Sequence, residues 1–61
     1  MWMLKVYSVL KGNVKEEEIT FTDRETCWEK GREISHDDTV CRVEMLSYEP
    51  KRLIQVFHHF N

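Results

Sequence analysis

Thr22-Asp23-Arg24-Glu25-Thr26-Cys27-Trp28-Glu29-Lys30-Gly31-Arg32-Glu33-Ile34 is the stretch on which the fold turns. It carries a clear helix start. Asp23, or Thr22 with Glu25 as a capping box, satisfies the free amides of a first turn. Glu25 also suits the positive end of the helix dipole. Cys27, Gly31 and Ile34 follow the i, i+4, i+7 spacing of a buried stripe with Trp28 at its edge, while Arg24, Glu29, Lys30 and Glu33 face water. Gly31 costs about 1 kcal/mol relative to Ala inside a helix. Its presence points to a close approach between helix and sheet, or to an early helix end.

On either side the period changes from 3.6 to 2. Residues 2–10 read as a strand, with Trp2, Leu4 and Val6 on one face and Lys5, Tyr7 and Val9 on the other. Gly12-Asn13 is a two-residue hairpin signal. Residues 16–22 follow as a second strand, with Ile19 and Phe21 on its apolar face. A loop at Gly12-Asn13 pairs Lys11 with Val14, which sets Val6 opposite Ile19 and Leu4 opposite Phe21. A one-residue slip would break that match.

Beyond the helix, Ser35-His36-Asp37-Asp38 is a polar connection. Residues 39–46 read as a third strand with Cys41, Val43 and Met45 inward and Arg42 and Glu44 outward. Residues 52–60 fit two periods. Leu53, Val56, Phe57 and Phe60 match a helix, with Pro50 in its first turn; Ile54, Val56, His58 and Phe60 match a strand. A four-residue loop at 48–51 pairs Met45 with Ile54 and Val43 with Val56, and sets Cys41 opposite His58, so the strand is preferred. The expectation for residues 1–61 is one α+β domain of two layers, an antiparallel β-β-α-β-β sheet with one helix on one face.

Size and composition bound the function. A 61-residue chain buries only about 60% of the surface its unfolded form exposes, so its core leaves little margin. With 41% apolar and 33% charged residues the composition is that of a globular domain. No apolar run approaches the roughly 18 residues of a membrane span. The start, Met1-Trp2-Met3-Leu4-Lys5, lacks the pattern of a secretory signal, which sets the expected location as cytoplasmic. The net charge of −2 argues against general nucleic-acid binding, which needs a basic surface. A weak nucleic-acid accessory role through Lys51, Arg52 and the aromatics remains as an alternative.

The reactive residue types do not assemble into chemistry. Cys27 and Cys41 both read as inward, so a bridge between them is conceivable in an oxidising compartment, and in a reducing one they read as free, buried thiols. Cys27, Cys41, His36, His58 and His59 lack the short spacings of a zinc site. His58 and His59, adjacent on a strand, point to opposite faces. Asp37-Asp38 with Glu33, and Glu16-Glu17-Glu18, read as solvated charge. No nucleophile has a base partner and no glycine-rich phosphate loop occurs. The expectation is a chain that is not an enzyme, with no cofactor, no metal and no small-molecule substrate.

What remains is a face. One helix covers one side of the sheet. The other side is expected to carry Tyr7, Val9, Val40, Leu46, Leu53 and Phe57, framed by Lys5, Glu18, Arg42 and Glu44. Aromatic and aliphatic anchors ringed by charge suit a protein partner or self-association as a homodimer. The candidate binding residues are Tyr7, Val9, Leu46, Leu53, Phe57, Arg42 and Glu44.

In size and element order, from the hairpin at 2–22 through the helix at 23–34 to the strand at 39–46, the chain is similar to small bacteriophage accessory proteins, among them inhibitors of host RNA polymerase and anti-defence proteins. The resemblance is one of topology and carries no motif. It implies a class of work: binding and blocking a host protein in the host cytoplasm.

Overall fold

A computed structural model describes residues 1–58. The elements are β1 (Trp2–Leu10), β2 (Asn13–Phe21), α1 (Arg24–Ile34), β3 (Val40–Ser47) and β4 (Arg52–His58). The four strands form one antiparallel sheet in the order β2-β1-β3-β4, with α1 on one face. This is the β-β-α-β-β architecture expected, and residues 52–58 are strand, not helix. The expected continuation of that strand to Phe60, like the facing of His59, lies outside the described residues.

The first hairpin turns one residue earlier than its sequence suggests. Leu10 pairs with Asn13, so the loop is Lys11-Gly12. Both loop residues have positive φ, 52° at Lys11 and 80° at Gly12, as a type I′ turn requires. Gly12 therefore serves as the second central residue, where a left-handed backbone carries no steric cost. The register moves by two, placing Leu4 opposite Ile19 and Trp2 opposite Phe21. A shift of two keeps every side chain on its face, and Ile19 and Phe21 pack on the core as expected.

Asp23 is the cap of α1. Its carboxylate accepts from the Thr26 backbone N–H and from the Thr26 hydroxyl, each at 2.8 Å. These bonds, the backbone one foremost, hold the Asp23 pKa below its ordinary value. Cys27 and Gly31 are buried on the inner stripe. Gly31 marks a close approach: a Cβ added there would lie 2.9 Å from Leu4 Cδ2 and 3.0 Å from Phe57 Cε2.

Two bulges decide which residues enter the core. Between β1 and β3 the register shifts after Tyr7, which pairs with Arg42, while Ser8 pairs with Val40. Cys41 is the extra residue, and it is exposed. An extra residue inverts the alternation beyond it. Val40, expected on the outer face, therefore joins the core with Val43 and Met45, and Cys41, expected inward, does not. The two thiols are free; Cys27 is buried, and burial pushes its pKa up.

Between β3 and β4 the expected register holds at first, with Leu46 opposite Leu53 and Ser47 opposite Arg52. It then shifts. Ile54 is the extra residue, Met45 pairs with Gln55, and Val43 pairs with Phe57. Leu53 and Phe57 have the same parity, so a regular strand would send both to one face. The bulge sends Leu53 outward and Phe57 inward. Phe57 is buried in the core cluster under α1, with its ring 5.9 Å from Trp28 in an edge-on arrangement. The aromatic expected on the open face is thus the one that fills the space beneath Gly31.

Candidate functional site

The face opposite α1 is built in cross-strand rows. Nearest the chain start, Met3 pairs with Leu46, and Leu46 with Leu53. Met3 and Leu46 are buried although no helix lies over them. Tyr48, in the turn between β3 and β4, closes over this end; its hydroxyl donates to Met3 Sδ at 3.1 Å, and its backbone N–H donates to the Met1 carbonyl at 3.0 Å. Leu53 continues the row into solvent at 53% exposure.

The middle of the face is a charged belt. Lys5 Nζ lies 2.9 Å from Glu16 Oε1 and 5.8 Å from the Tyr7 ring centroid. Hydrogen bonding to Glu16 first, and then to Tyr7, raises the Lys5 pKa above its ordinary value. The Tyr7 hydroxyl donates to Glu44 Oε1 at 3.2 Å. The Arg42 guanidinium donates to Glu44 Oε2 from Nη2 at 2.8 Å and from Nε at 3.1 Å. Both oxygens of the half-buried Glu44 are thereby engaged. Alternation alone sets up the belt, because Lys5, Tyr7, Arg42 and Glu44 are outward on neighbouring strands and Glu16 faces Tyr7 across β2.

Towards the hairpin loop the face becomes apolar again but loses its cover. Val9 pairs with Val14, and they are 42% and 69% exposed. A nine-residue strand runs about 30 Å, whereas the eleven residues of α1 span about 16 Å. The hairpin tip therefore extends beyond the helical layer.

No family model matches this chain, and no curated protein or solved structure matches it.

Of the residues singled out from sequence, Tyr7, Arg42, Glu44, Leu46 and Leu53 share the outer face as expected, and Val9 stands at its far end. Phe57 does not belong there, for the bulge at Ile54 turns it into the core. Met3 and Tyr48 were missed. Met3 was legible, since it shares parity with Lys5 and Tyr7. Tyr48 lies in a turn, where alternation says nothing of where a side chain goes.

A groove of about 290 Å³ opens on the helix side, where the end of α1 passes over the edge of the sheet. Arg32, Ser35 and His36 line it from the helix and its cap, and Gln55, Val56, Phe57 and His58 from β4. Arg32 lies 5.8 Å over the Trp28 ring, and Trp28 Nε1 donates to Gln55 Oε1 at 3.3 Å. This groove was not legible from the residues alone, because strand and helix meet there only through the inverted facing of β4.

Among the described residues no three His, Cys, Asp or Glu side chains converge as metal ligands. The zinc candidates separate, with Cys27 in the core and Cys41 at the surface. His58 pairs with Arg42 rather than with Cys41, and His59 lies outside the described residues. Among the described residues no helix is long and apolar enough to cross a membrane.

Proposed function

We propose that the chain is a non-enzymatic protein-binding module that occupies a partner's surface with the outer face of its sheet. The observation that carries this is the make-up of that face. An apolar row, Met3-Leu46-Leu53, ends in an exposed leucine and adjoins a belt in which Lys5, Tyr7, Glu16, Arg42 and Glu44 hold one another in place. Ordered charges beside an apolar anchor give a partner both complementarity and area without a cost in side-chain ordering. Inhibition of a host protein, in the manner of the small bacteriophage proteins the chain resembles in topology, is the form of this activity we propose.

The competing occupant of the same face is a second copy of the chain, favoured by the small core. Sedimentation at high micromolar concentration separates the two, since a strict monomer leaves the face to another protein. The partner reading is then tested by affinity capture with the native chain and with the double variant Tyr7→Ala, Leu53→Asp. The expected result is a stoichiometric partner that the double variant fails to hold. Equal capture by both forms sinks the assignment to this face.

A further inference from the structure

The two edges of the sheet are not alike. Edge strand β2 presents Lys15, Glu16, Glu17 and Glu18 in succession, all exposed. Consecutive charge on an edge discourages pairing with another strand. Edge strand β4 has no carboxylate between Arg52 and His58, and beside it Leu53 and Ile54 are 53% and 40% exposed. An edge of that kind accepts an added strand.

The groove beside β4 adds a charge preference. Of its lining residues Arg32 and His36 bring ionisable side chains from the helix side and no carboxylate lines it, while His58 pairs with the outward-facing Arg42. Arg32 is steadied against Trp28, which is held in turn by Gln55 and Phe57. The end of α1 does not oppose an incoming anion with bare carbonyls. The Ser35 hydroxyl donates to the Arg32 carbonyl at 2.6 Å, and the Ser35 N–H donates to the Gly31 carbonyl at 3.0 Å.

We propose that the edge of β4 and the groove under the last turn of α1 take an extended acidic peptide segment of a partner protein, added to the sheet as a fifth strand. The added backbone would run about 4.8 Å from β4. Its side chains alternate, so every second one points to the helix side. A carboxylate there reaches the Arg32 guanidinium, whose planar fork suits bidentate pairing. The intervening residues lie on the other side, along Leu53 and Val56. A second copy is a poorer occupant: in a two-fold β4 pair neither strand brings a carboxylate to Arg32, because β4 has none. This inference rests on the protein-binding reading but uses the edge of the sheet and the helix-side groove, and shares Leu53 with the outer face.

The test is a titration of the full, ¹⁵N-labelled chain at low salt, followed by amide resonances. Two probes are used: a capped heptapeptide alternating glutamate with valine, and its counterpart alternating lysine with valine. The acidic peptide is expected to bind with Kd below about 1 mM, moving resonances of residues 52–58 and of Arg32 to His36. The basic peptide is expected to leave them in place. Arg32→Glu, at an exposed position, is expected to weaken the acidic peptide at least tenfold while the resonances of the core stay unchanged. Equal binding of both peptides overturns the proposal, as does no binding of the acidic one. Shifts centred on β2 or the outer face, an Arg32→Glu chain that binds undiminished, or concentration-dependent pairing of copies through β4 also overturn it. A natural partner lost by the Tyr7→Ala, Leu53→Asp chain but kept by Arg32→Glu would sink this inference alone and leave the outer-face reading standing.

Discussion

Gly31 is the point at which helix and sheet come closest. Any side chain there meets Leu4 and Phe57 within about 3 Å, and both are buried. Gly31→Ala gains about 1 kcal/mol of helix propensity but overpacks the core, which costs about 1–3 kcal/mol. Because Leu4 has no exposed side to move into, crowding wins. The variant is expected to be less stable by about 1 kcal/mol in urea unfolding, and a more stable variant would show that the layers part freely. The cysteines give a second residue-scale expectation. Cys41 is exposed and Cys27 is buried with a raised pKa. The native chain should therefore react with one equivalent of a thiol reagent, at Cys41, and with a second only on unfolding. A native Cys41 that fails to label would contradict the placement of the first bulge, and rapid labelling of both thiols would contradict the burial of Cys27. Gly31 was legible in the sequence because a glycine inside a helical stripe has few other uses. The exposure of Cys41 was not, since nothing in Thr39-Val40-Cys41-Arg42 signals an extra residue.

Elements depend here on their ends. Asp23 supplies the cap of α1 and has a lowered pKa when folded. Its contribution to stability is thus complete above its unfolded pKa of about 4, and it fades as the pH falls through the lower folded value. Asp23→Ala is expected to lower the melting temperature by roughly 4–8 °C at neutral pH. The difference between parent and variant should narrow below about pH 4. A difference that stays constant down to pH 2 would remove the charge from the account of the cap. In the first hairpin, Lys11 adopts a positive φ that costs a residue with a β-carbon about 1 kcal/mol. Lys11→Asn creates Asn-Gly, the pair most suited to this turn. It is expected to stabilise the chain by about 0.5–1 kcal/mol in urea unfolding, and a loss of stability would argue against the turn type. The capped helix, the facing of both hairpin strands and the strand character of residues 52–58 could all be read from period and turn chemistry. The loop position was misread because Gly12 fits either central position of a two-residue turn. The strand register decides between them: Leu4 opposite Ile19 and Trp2 opposite Phe21 put Lys11 in the turn, where it takes a left-handed backbone at a cost.

At the scale of the whole molecule, α1 leaves two surfaces to account for: the outer face with its charged belt, and the β4 edge with its groove. The outer face followed from alternation along β1 and along β3 from Arg42 onward. The groove did not, because it exists only where β4 has changed facing. Long-range packing decides that change: Leu53 completes the row with Leu46, and Phe57 fills the space under Gly31. No local window contains both demands.

Ile54 thus behaves like an inserted letter in a two-letter code of inward and outward. Its composition matters less than its presence, for it resets the phase of everything that follows on β4. A chain with Ile54 deleted closes the bulge: Leu53 stays opposite Leu46, Gln55 opposite Met45 and Phe57 opposite Val43, so plain alternation now carries Phe57 inward. Phe57→Ala, by contrast, empties the space beneath α1 at a cost of about 3–5 kcal/mol, comparable to the whole stability of so small a domain. The deletion and Ile54→Val are therefore both expected to unfold cooperatively by circular dichroism, whereas Phe57→Ala is expected to lose the transition. Loss of cooperative unfolding in the deletion chain would mean that Ile54 does more than shift the phase. For this fold, then, a lost Ile54 is a milder change than a replaced Phe57, and relatives should differ in the presence of that extra residue more readily than in the aromatic beneath α1.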